Sequence, residues 1–62
     1  MTRESVEAIC RAVVNERDFL MEENRIEKAK NVECATKELL EILPEKEVER
    51  FRGVLKWYGM SL

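Results

Sequence analysis

Between Ser5 and Leu43 the chain contains neither glycine nor proline. The run is rich in good helix formers, so helix is the only regular structure that fits most of it. Glu7–Arg11, Glu33–Lys37 and Lys37–Glu41 are opposite charges spaced i to i+4, each pair adding about 0.2–0.5 kcal/mol to a helix. Thr2 or Ser5 can cap the start, and Glu4 and Glu7 suit its positive end. The only proline, Pro44, ends the run. It fits the first turn of a new helix, where its missing N–H has no partner to lose, and it pushes Leu43 out of the α region.

After Pro44, the residues Val48, Phe51, Leu55, Tyr58 and Leu62 step by three, four, three and four, making one helical stripe with Val54 at its edge. Glu45, Glu47 and Glu49 lie towards the positive end of this helix, and Arg50, Arg52 and Lys56 towards its negative end. Gly59 can close it in the left-handed conformation, with Met60 folded back onto Leu55. The pattern predicts a C-terminal helix over about residues 45–58.

Within the long run the apolar stripe changes phase. Early on it comprises Val6, Ile9, Cys10, Val13 and Leu20, with Arg17 and Asn24 as polar members; later it comprises Ala29, Val32, Thr36, Leu39, Leu40 and Leu43. The second stripe lies roughly a quarter turn round from the first. Two arrangements accommodate the shift. The expected one is a single helix over about residues 3–42, forming a helical hairpin with the C-terminal helix, because the candidate turn has no glycine or proline. The alternative is a three-helix bundle that turns somewhere near residues 22–31, with Asn24 and Glu27 as a restart cap.

The long-helix reading leaves Val6, Ile9, Val13 and Leu20 uncovered, and burying each is worth about 1.5–3 kcal/mol. A homodimer or higher oligomer, an antiparallel helical bundle, is therefore expected. Its interface would hold Val6, Ile9, Val13, Arg17, Leu20 and Asn24, the two polar residues setting register. The size points the same way: 62 residues make a single domain, and a chain this short buries only about 60% of its unfolded surface.

Composition argues against chemistry. There is no histidine to activate Cys10 or Cys34 or to complete a zinc site. No glycine-rich phosphate loop or calcium loop is present. No catalytic residue, metal ligand or cofactor is expected, and no enzyme. Cys10 reads as a small core hydrophobe and Cys34 as a surface thiol near Lys30 and Lys37. No apolar run is long enough to cross a membrane, so the expected location is cytoplasmic, with reduced thiols.

What remains is recognition. Arg50, Gly53, Trp57 and Met60 share a side of the last helix away from its apolar stripe. A mid-helix glycine costs about 1 kcal/mol relative to alanine, which a closely approaching backbone would explain. Trp and Arg often dominate interfaces, and Met adapts to partners. This side, with Phe19, is the expected contact for a larger protein, making the chain a non-catalytic interaction module, a small regulator or inhibitor. The alternative is an oligomeric nucleic-acid-binding regulator using Arg50, Arg52, Lys56 and Trp57, basic residues among aromatics. The near-balance of charge, net −2 with 39% charged residues, weighs against a dedicated polyanion binder. The run Leu39–Glu45 resembles the helix–proline–helix joins in the tails of bacterial and phage regulators, a resemblance of plan that carries no functional residue across.

Overall fold

The computed structural model describes residues 1–62 and contains three helices and no strand: α1, Arg3–Glu22; α2, Ile26–Ile42; and α3, Glu45–Tyr58. Thr2 caps α1, its side-chain oxygen accepting from the Ser5 N–H at 3.1 Å. The single long helix is thus corrected to two. A helix over residues 3–42 would span about 60 Å at 1.5 Å per residue, whereas the longest dimension of the molecule is 34 Å.

The turn is made by Asn24, whose φ of 60° is the only positive value outside glycine. Its N–H bonds to the Met21 carbonyl at 3.0 Å, and the Arg25 N–H bonds to the Leu20 carbonyl at 2.8 Å. This is the paired closure usually given to glycine, with asparagine in the left-handed position. Asn24 does not cap α2; the residue before that helix is Arg25, and it makes no side-chain capping bond. The same closure recurs at the end of α3. Gly59 has φ 106°, its N–H bonds to Lys56, and the Met60 N–H reaches the Leu55 carbonyl at 2.8 Å. Met60 is buried beside Leu55, as the sequence predicts.

α1 and α3 run parallel, with α2 returning between them in the chain. Met1 lies by Glu47, Cys10 by Phe51 and Arg17 by Gly59, so positions along the two helices rise together. α1 packs extensively on both partners, while α2 and α3 meet each other sparingly. The core is Val6, Cys10 and Val14 from α1, Leu40 from α2, and Phe51, Leu55 and Met60 at the other side. Ile9, Val13, Leu43, Val48, Val54, Tyr58 and Leu62 close its rim. Thr36 is buried too, but its hydroxyl donates to the Val32 carbonyl at 2.8 Å and is not orphaned.

The apolar surface that seemed to need a second copy is covered within the chain. Val6 and Leu20 are buried, and Ile9 and Val13 half-buried against the core. Arg17, expected at an oligomer seam, is engaged within the chain. With only 16% of its side chain exposed, it pairs with Asp18 at 3.0 Å and Glu33 of α2 at 3.5 Å, and donates to the Gly59 carbonyl beyond α3 at 3.1 Å. It ties all three helices together at one end of the bundle.

Phe51 is 1% exposed and its carbonyl accepts the Cys10 thiol at 3.8 Å. Truncating such a side chain removes both transfer energy and packing, at about 3–5 kcal/mol. Phe51→Ala is expected to lower the urea midpoint by that amount of stability or to abolish the cooperative transition, read by far-ultraviolet circular dichroism.

Candidate functional site

The residues expected to bear function fall into three environments. Met60 leaves the partner-facing side altogether: at 1% exposure it is core, drawn in by the turn at Gly59. Phe19 is 53% exposed but lies apart from α3's outer side, being no part of the groove described next. The others, Arg50, Gly53 and Trp57, remain on the surface.

Trp57 is 79% exposed, which for the only tryptophan in the chain is a large apolar area left in water. It stands at the edge of a half-open groove of about 480 Å³ between α1 and α3. Gly53, Val54, Trp57 and Tyr58 line it from α3, and Arg3 and Glu7 from α1. The two aromatic rings meet edge to face, centroids 4.9 Å apart at 85°, a favoured geometry that steadies the indole. Sequence periodicity placed Trp57 and Gly53 together because i and i+4 share a helix side. It missed Arg3 and Glu7, since only the parallel pairing of α1 with α3 brings them there.

Gly53 needs no freedom from its own fold. It is helical, and a Cβ built on it would meet nothing within 4 Å. The close backbone approach expected there is absent within the chain. The helix carries a glycine that its own packing does not require, among the residues that line its largest groove.

The two charged residues that line the groove pair with each other. Glu7 is the only lining carboxylate and is already held by Arg3, at 3.7 Å. Arg50 is engaged by Glu47 at 3.5 Å and donates to the Met1 carbonyl at 3.2 Å. Arg52 and Lys56 make no ion pair. The four residues of the nucleic-acid reading do not form one track. Arg50 and Arg52 are two positions apart, about 200° round the helix. Arg50 accordingly reaches towards the start of α1, and Arg52 lines the cleft with Lys37, Leu40, Glu41 and Leu62.

Both cysteines are free, Cys10 in the core and Cys34 exposed. Burial pushes the Cys10 thiol above its ordinary value of 9.0, because the low-dielectric core disfavours the thiolate. No cluster of His, Cys, Asp and Glu is arranged to hold a metal ion, and no helix is long and apolar enough to cross a membrane. Compared with known proteins, the chain matches no family model, and neither a curated protein nor a solved structure matches it.

Two measurements check this description. A thiol reagent should label Cys34 rapidly in the folded protein and Cys10 only on unfolding. The same burial makes stability fall with rising pH above 9.0, because there the unfolded chain loses the Cys10 proton while the folded one keeps it. Gly53→Ala should raise stability by about 1 kcal/mol, since alanine costs less helical entropy and its methyl meets open space; calorimetry reads it as a higher Tm.

Proposed function

We propose that the chain is a non-catalytic helical interaction module that docks on a larger protein through the groove between α1 and α3. The observation that carries this reading is the juxtaposition of Trp57, 79% exposed, with Gly53, a helix-weakening residue that nothing in the chain itself demands. Exposed tryptophan is costly to leave in water and is the residue type most enriched at the energetic centres of interfaces. A glycine in the groove lining, with open space at its Cβ position, lets an incoming side chain or backbone come close to the helix axis. The glycine weakens the isolated helix, and burying the indole against a partner would gain the transfer energy that the fold leaves unused.

The scale suits a docking site better than a reaction centre. The groove is half-open to solvent, and its only carboxylate, Glu7, is itself half exposed and pairs with Arg3. The core belongs to the fold: Cys10 is sealed from solvent and its thiol held protonated.

The experiment is capture of partners from a native-host lysate by the tagged protein, with two variants as controls. Trp57→Ala removes the exposed indole, and Gly53→Leu puts a bulky side chain into the groove lining. Both substitutions fall on open surface and should leave the fold intact, with Gly53→Leu raising Tm as Gly53→Ala does. Loss of one or more captured proteins by both variants is the expected result. Capture unchanged in both would overturn the docking role of this groove.

A further inference from the structure

We draw no further inference here: the strongest candidate, the groove between α1 and α3 beside Trp57, belongs to the docking site already proposed, and because its two lining charges, Arg3 and Glu7, pair with each other, nothing in the structure shows what covers it.

Discussion

Every other element depends on α1 serving two partners at once. Val6, Cys10 and Val14 repeat at four-residue spacing and are buried, and the Cys10 thiol meets the Phe51 carbonyl, which places this row under α3. Ile9, Val13 and Leu20 form a neighbouring row, half-buried or buried. A helix with one partner needs a narrow apolar stripe; one that packs two needs a broad face. α2 and α3, which touch each other little, are held in place chiefly by this shared surface. Arg17 secures the same arrangement at one end, replacing the water around its guanidinium with carboxylates from α1 and α2 and the carbonyl of Gly59.

Much of this plan can be read in the residues. The C-terminal helix, its closure at Gly59, the inward fold of Met60 and the boundary at Pro44 follow from turn chemistry and a clean 3.6 period. The change of phase between the early and late stripes was a true sign of two helices, but the turn between them had no glycine to announce it. Asparagine tolerates the left-handed conformation because its short polar side chain bonds locally. At Asn24 it does what Gly59 does at the other end of the chain. The burial argument for an oligomer followed from that one misplaced boundary: a straight helix cannot shelter Val6 and Leu20, and a folded-back pair can. The site was half legible. Helical spacing put Gly53 beside Trp57, but no local pattern carries Arg3 and Glu7 across from α1, because that proximity depends on the parallel pairing of helices far apart in sequence.

The molecule separates its stabilising and its outward-looking features. Large side chains that pack, Phe51, Leu55 and Met60, are almost wholly hidden. Of the large apolar side chains left exposed, Trp57 is the one that stands beside Gly53; Phe19, Met21, Ile26 and Ile42 lie elsewhere. Small domains have few kcal/mol to spare, so a helix glycine and a bare indole at one place are informative in a way that a lone exposed leucine is not.

An odd number of helices has an electrical corollary. Adjacent antiparallel helices cancel each other's macrodipoles, but α1 and α3 point the same way and only α2 opposes them. One unit is left over, roughly half an elementary charge at each pole of the bundle. The starts of α1 and α3, with Glu4, Glu45 and Glu47 in their first turns, share the positive pole. Arg17, donating to the final carbonyl turn at Gly59, sits at the negative one. The bundle is thus a small bar magnet in the electrostatic sense, with a head and a tail that any approaching charged body can tell apart.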